Sequence, residues 1–316
     1  MSQGTDNLFE RNKNITIVVL VLFFILFTTV LCLILAEIYL KKVYGLGNPV
    51  IYDSNPLYGY RPLPNQDIVR FGGARLKFNN LGLRTDEDWD DKRDDKVLFL
   101  GDSVAYGGSS IDNKELFSYL ALAGLKNYKS GNAGVKAWGV NNIHGLIVDS
   151  NFIPAKLYIT VIPEVDFSRG MTRMQGQPFF NVEPRFALLE LWYYFCYKQN
   201  NRRYKEWQYF VNKEHLEIIV EIAVKKLKEI DTFLKKQGFQ HIIFISPTYE
   251  QVFEGVPIDS LIHSLLEKYD LNPVYILDEL KKYNLSEEDQ KNMFYDTIHL
   301  NKRGHELWAK IIESYL

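Results

Sequence analysis

The chain has 316 residues, enough for one good-sized domain plus a membrane anchor. It is 47% hydrophobic and 24% charged, which is ordinary for a globular protein. The net charge of −2 argues against a polyanionic partner such as nucleic acid. Aromatic residues reach 14%, which suits a large packed core or a sugar-stacking surface. Of the two cysteines, Cys32 lies in a long apolar run and Cys196 far beyond it, which puts them on opposite sides of a membrane interface, so no intrachain disulfide is expected. No Cys/His spacing resembles a zinc site.

Residues 1–14 form a short N-terminal tail. Residues 15–36 carry no charge, and at ~1.5 Å per residue they extend ~33 Å, enough to cross a bilayer core. The run is longer than the apolar part of a secretory signal, and Leu35-Ala36-Glu37-Ile38 offers no convincing cleavage site. A transmembrane helix over 15–40 is the expectation. Arg11 and Lys13 precede it and Lys41 and Lys42 follow it, so flanking charge does not set its orientation. Residues 41–95 are punctuated by Gly, Pro and Asn and read as an irregular lead-in packing on the domain, with a short strand at Leu76-Lys77-Phe78.

From residue 96 onward strands and helices alternate. Strands are expected at 97–100, 156–162, 241–246 and 274–277, with a weaker one near 129–133. Helices are expected at 114–125 and 214–236, and a last one starts near Asn301, a plausible N-cap. This alternation implies an α/β domain over 96–316 with a parallel sheet and helices on both faces. The ligand of such a sheet sits beyond the carboxyl ends of its strands. Residues 167–211 form an insert without a clean period, either a cap over that edge or surface helices on the sheet.

Two short motifs carry chemistry. Gly101-Asp102-Ser103 follows a strongly apolar strand, and Ala105, Gly107 and Gly108 allow close approach of backbone to a substrate. Asp296 and His299 lie three residues apart, so one tight turn can place the carboxylate on the imidazole. A serine nucleophile, a histidine base and an orienting aspartate are the parts of a serine hydrolase. The Ser103 amide is placed to bind the oxyanion. Asp102 and Ser103 could equally be a helix cap, and Asp296 a surface residue. His144, His215, His241, His263 and His305 lack comparable context, and His215 and His305 read as solvent-facing.

These motifs, in this order, resemble the first and last blocks of the SGNH (GDSL-type) hydrolases. Asn132-Ala133-Gly134-Val135 followed by Gly139 resembles the second block. Asn80-x-Gly82-Leu83-Arg84 and Ser246-Pro247-Thr248 resemble membrane-anchored members found with surface-polysaccharide genes. The resemblance spans roughly residues 55–316. It implies a three-layer, flavodoxin-like sandwich, catalysis by Ser103, Asp296 and His299, an oxyanion hole made by the Ser103 and Gly134 amides, and no metal or organic cofactor. It implies an extracytoplasmic esterase or O-acyltransferase acting on acylated surface or cell-wall carbohydrate, with polysaccharide-assembly proteins as partners. Two other readings are a catalytically weak carbohydrate-binding component and a membrane-lipid esterase. One departure stands out. The family's third block supplies an oxyanion-binding asparagine, and here Val165 occupies that place between Glu164 and Asp166. Asn80, Arg84, Asn132, Asn141 and Asn142 are the candidates to replace it.

Overall fold

The computed structural model describes residues 12–90, 92–125, 127–172, 180–208, 213–283 and 285–316. Most of the expected tail, 1–11, and parts of the insert, 173–179 and 209–212, lie outside them. The first helix, α1 (Lys13–Tyr44), buries none of its residues. It is long and apolar enough to cross a membrane.

Two antiparallel hairpins follow. β1 (Tyr52–Asn55) pairs with β2 (Gly59–Pro62), and β3 (Gln66–Arg70) pairs with β4 (Ala74–Phe78). Residues 41–95 are therefore more regular than the irregular lead-in expected. Gly72 and Gly73 turn the second hairpin at φ 70° and 87°, which glycine adopts without strain. Tyr60, Leu76, Phe78 and Trp89 from this region share one core cluster with Leu98 and Leu100 of the main sheet. The Arg84 N–H donates to the Asn132 carbonyl at 2.7 Å, so the lead-in covers the free edge of the main sheet.

The main sheet has five strands: β5 (Lys96–Gly101), β6 (Lys129–Asn132), β7 (Leu157–Pro163), β8 (Gln240–Ser246) and β9 (Val274–Tyr275). All pairs are parallel, in the order β6-β5-β7-β8-β9. Alternate side chains of each strand point to opposite faces. Leu98, Leu100, Tyr158, Ile243 and Ile245 pack on one face with Val220, Val224 and Leu227 of a helix spanning Lys213–Lys236. Val97, Phe99, Ile159, Val161 and Phe244 pack on the other with Leu307, Trp308 and Ile311 of a helix spanning Lys302–Glu313. The fold is thus a three-layer α/β sandwich. Its strand order reverses at β5, where β6 lies to one side and β7 to the other, and ligands of such sheets bind at that switch.

Three local expectations change. The strand expected at 274–277 stops at Tyr275, and Ile276–Leu280 is helical. Ile276 and Leu280, four residues apart, are both buried on one face of that turn. The helix expected at 114–125 reduces to a 3-10 turn, Asn113–Glu115, and a short helix, Phe117–Leu120. Leu116 between them is extended. His305 is fully buried rather than solvent-facing. Its ring stacks on Phe117 with centroids 5.4 Å apart, and its Nδ1 accepts the Phe117 N–H at 3.2 Å. The broken helix exposes that N–H, and the histidine satisfies it.

Burial, helped by the Arg84 charge, lowers the His305 pKa to about 3 from an ordinary value of 6.5. The unfolded chain takes up the proton first as pH falls. The stability this residue contributes is therefore complete above pH 6.5 and is lost as pH falls from there toward about 3. Its share of the slope is about 1.4 kcal/mol per pH unit. His305→Gln keeps an acceptor for Phe117 but does not titrate. Denaturant unfolding of the detergent-solubilised chain between pH 4 and 6.5 should therefore depend less steeply on pH in the variant than in the parent.

Candidate active site

Ser103 sits just past the carboxyl end of β5, as the first residue of a short helix, Ser103–Tyr106. Gly101 brings the chain there. A Cβ at this position would press into the Val161 carbonyl oxygen of β7 and the Ala105 side chain. Gly101→Ala should therefore push β5 and β7 apart. The expected cost is about 1–3 kcal/mol of stability, with lower turnover because Ser103 shifts too. A urea midpoint and a kcat measured together would check both effects.

Asp102 is fully buried and caps the short helix, accepting the Val104 N–H at 2.8 Å. The capping role open in the sequence thus belongs to Asp102. Ser103 is left half-buried with its hydroxyl available.

His299 reaches Ser103 from a turn before the last helix. Asp296 Oδ1 accepts the N–H groups of Ile298 and His299 at 3.0 and 2.9 Å. Its Oδ2 lies 2.7 Å from His299 Nδ1. One carboxylate therefore fixes both the turn and the ring. His299 Nε2 lies 2.8 Å from Ser103 Oγ. Burial acts to raise the Asp296 pKa, but the two amides and the imidazole outweigh it and hold the carboxyl below its usual range. An ionised Asp296 makes Nδ1 the protonated nitrogen and leaves Nε2 as the acceptor facing the serine. The side chains of His299 and Asp296 are 37% and 47% exposed, so a bulky substrate can reach the dyad from solvent.

The other residues singled out in the sequence lie around this centre in different roles. The Gly134 N–H donates to Asn132 Oδ1 at 2.8 Å, so this amide already has a partner within the chain. A Cβ on Gly134 would meet the Ala105 and Tyr106 backbone, so its absence serves close packing. The Asn132 amide nitrogen donates to the Ala105 carbonyl at 2.6 Å. Arg84 is buried and clamps the loop that follows the serine helix. It donates to the carbonyls of Tyr106, Gly108 and Ile111 and to Asn113 Oδ1. Asn80 is tied to the Trp89 backbone through both side-chain atoms. Asn141 donates to the Arg169 carbonyl, and Asn142 to those of Tyr58 and Thr172. Val165 is 40% exposed in the 3-10 turn after β7 and has no side-chain donor.

Arg169 was not singled out in the sequence, yet it stands at the centre of this edge. Its Nη1 donates to Asp102 Oδ2 at 3.3 Å, to Asp166 Oδ1 at 2.8 Å and to the Trp138 carbonyl at 3.0 Å. Ser103 Oγ lies 3.1 Å from the same Asp102 oxygen. Asp166 is fully buried, and burial together with the Asp102 charge pushes its pKa well up. Nε and Nη2 of Arg169 make no hydrogen bond among the described residues. The side chain is 26% exposed. Gly139 makes room for it, because a Cβ there would meet the Arg169 Cβ and the Asp166 carbonyl. An arginine three residues after the β7-end aspartate was the available signal.

Between Gly134 and Gly139 the backbone is unusual. Ala137 holds φ 61°, a left-handed conformation uncommon for a residue with a Cβ. Its N–H has no partner among the described residues, and neither has that of Ser103. The neighbouring carbonyls, of Lys136 and Trp138, are held by the Tyr60 hydroxyl and by Arg169.

No family model and no curated protein matches the chain. Among solved structures it is similar to an acetyl xylan esterase, at 14% identity over 70% of this chain and 99% of that one, with a TM-score of 0.43. It is similar to a lipolytic protein of the G-D-S-L family from Veillonella parvula, at 14% identity over 68% and 94%, with a TM-score of 0.39. A lipase/acylhydrolase from Enterococcus faecalis is 10% identical over 71% and 95%, with a TM-score of 0.42. What its site can do is read from its own side chains.

Proposed function

We propose that this chain is a serine esterase working through a seryl-acyl intermediate. The observation that carries the reading is the relay from Asp296 Oδ2 to His299 Nδ1 at 2.7 Å and from His299 Nε2 to Ser103 Oγ at 2.8 Å. Ser103 Oγ attacks the ester carbonyl carbon while its proton passes to Nε2. The imidazolium is held by ionised Asp296. The tetrahedral intermediate collapses, the carbon–alkoxide bond breaks, and His299 returns the proton to the departing alcohol. Water or a sugar hydroxyl then attacks the acyl-serine by the same path in reverse, giving hydrolysis or transfer.

The oxyanion needs donors, and the Gly134 amide is engaged elsewhere. In this reading the free amides of Ser103 and Ala137 supply them. Arg169, partly exposed and with two nitrogens unengaged among the described residues, fills the place that Val165 leaves empty. An arginine brings a full positive charge where an asparagine brings only a dipole.

Helix α1 is read as an uncleaved anchor and the domain as extracytoplasmic. The carbohydrate substrate rests on the sequence resemblance of residues 80–84 and 246–248, and the open dyad suits an ester on a polymer. Fluorophosphonate labelling of the detergent-solubilised chain tests the chemistry directly. Label on Ser103 that Ser103→Ala abolishes is the expected result. An unlabelled serine in a folded chain would favour the carbohydrate-binding reading, for which Val165 is the supporting feature. Acetate release from acetylated oligosaccharides, compared with release from phospholipid, separates carbohydrate from lipid substrates.

A further inference from the structure

The end of α1 is joined to the domain by specific contacts. Glu37 is the first charged residue after the uncharged run, and its two oxygens accept the N–H groups of Ala187 and Leu188 at 2.8 and 2.9 Å. These are the first residues of a long helix, Ala187–Gln208. The Gly47 N–H and the Gly45 carbonyl, just past α1, bond to Glu190 and Arg70, which form a buried ion pair with each other. The start of the long helix is therefore held at the level where α1 acquires charge.

The exposed side chains at 191–195, in the first turns of that helix, are apolar or aromatic. Trp192 and Phe195 are 58% and 54% exposed, and their rings stack 5.7 Å apart. Leu191, four residues before Phe195, is exposed on the same helix, and Val182 and Phe186 are exposed before the helix begins. Phe195 lies eight residues beyond Ala187, so at ~1.5 Å per residue the helical part of the patch lies within ~12 Å, along the helix axis, of the turn that Glu37 binds, whichever way the helix runs. Tyr39 and Tyr44 stand exposed on the last turns of α1, their rings 5.9 Å apart. Lys41, Lys42, Arg185 and Lys198 are exposed around the same region. Aromatic rings rimmed by lysine and arginine at the end of an apolar helix are the composition of a membrane–water boundary.

We propose that the face carrying Trp192 and Phe195 lies in the headgroup boundary of the bilayer that α1 crosses. This rests on the anchor reading of α1, with which the patch is continuous. The aromatic rings enter the upper acyl region, and the basic side chains stay among the phosphates. The segment from 182 to 195 is then a second membrane contact, which fixes the rotation and tilt of the domain.

The test uses the full chain in vesicles of phosphatidylcholine and phosphatidylglycerol carrying brominated acyl chains. The Trp192 signal is the difference in fluorescence between the parent and Trp192→Phe. With bromines close to the headgroup, that difference should lose most of its intensity, and it should lose less with bromines near the chain ends. An equally bright difference signal in brominated and plain vesicles, from protein that resists extraction by alkaline carbonate, overturns the proposal and leaves the anchor standing. Extraction by carbonate overturns the anchor and the proposal with it. An unquenched signal with a chain dimer that Phe195→Glu dissociates also overturns it, because the face is then covered by a second copy.

Discussion

Ser103→Ala is expected to lower acyl-ester turnover by about 10⁴- to 10⁶-fold. The change removes one oxygen from a half-buried residue whose capping neighbour, Asp102, keeps its bond to the Val104 N–H. The fold should survive, and circular dichroism and the urea midpoint should match the parent. His299→Ala should cost nearly as much, since it removes the imidazole that lies 2.8 Å from Ser103 Oγ and is read as its general base. The two losses should not add, because the groups act as one unit. A double variant slower than either single variant by the product of their effects would show that the two residues act in separate steps.

Arg169 carries the second large expectation. Arg169→Lys keeps a positive charge beside Asp102 and Asp166 but loses the planar fork. It should lower kcat by about 10²- to 10³-fold with little change in KM, the effect of removing one oxyanion donor. Arg169→Met also leaves two buried carboxylates without their partner. It should destabilise the chain by about 3–5 kcal/mol besides slowing it. A purely structural arginine would give the same stability loss, so the deciding measurement is rescue. Val165→Asn restores a donor in the 3-10 turn after β7. It should raise kcat in the Arg169→Lys background and do little in the parent. If Val165→Asn speeds the parent at least as much as the variant, the donor position is empty and Arg169 is only a support for Asp102.

The cluster of Ser103, Asp296 and His299 could be read from the sequence because its cues are local. An apolar strand ends in Gly-Asp-Ser, and Asp296 and His299 are close enough in sequence for one turn to join them. The layers were legible for the same reason, since Val220, Val224 and Leu227 repeat on one helical face. Features fixed by distant partners were not. The pairing of β1 with β2 depends on Tyr52 and Tyr60, whose burial a sequence window does not reveal. His305 has an exposed-looking position in a polar helix turn, yet its partner is Phe117, far away in the chain. Gly134 looked like a free amide until Asn132 was placed beside it. Arg169 joins the Asp102 and Asp166 carboxylates and the Trp138 carbonyl, so no single motif contains it.

The join at Glu37 has a consequence for reach. A catalytic domain on a loose tether sweeps a hemisphere and meets esters over a range of heights. Here the charged end of α1 is bonded at once to Ala187 and Leu188, and Gly45 and Gly47 are locked to Arg70 and Glu190. On the anchor and esterase readings proposed above, the domain is a fixed station with Ser103 at one altitude over the lipid. Only polymer passing at that altitude is within its grasp. The supply of substrate is then set by how chains are fed past the membrane surface, rather than by how far the enzyme can search.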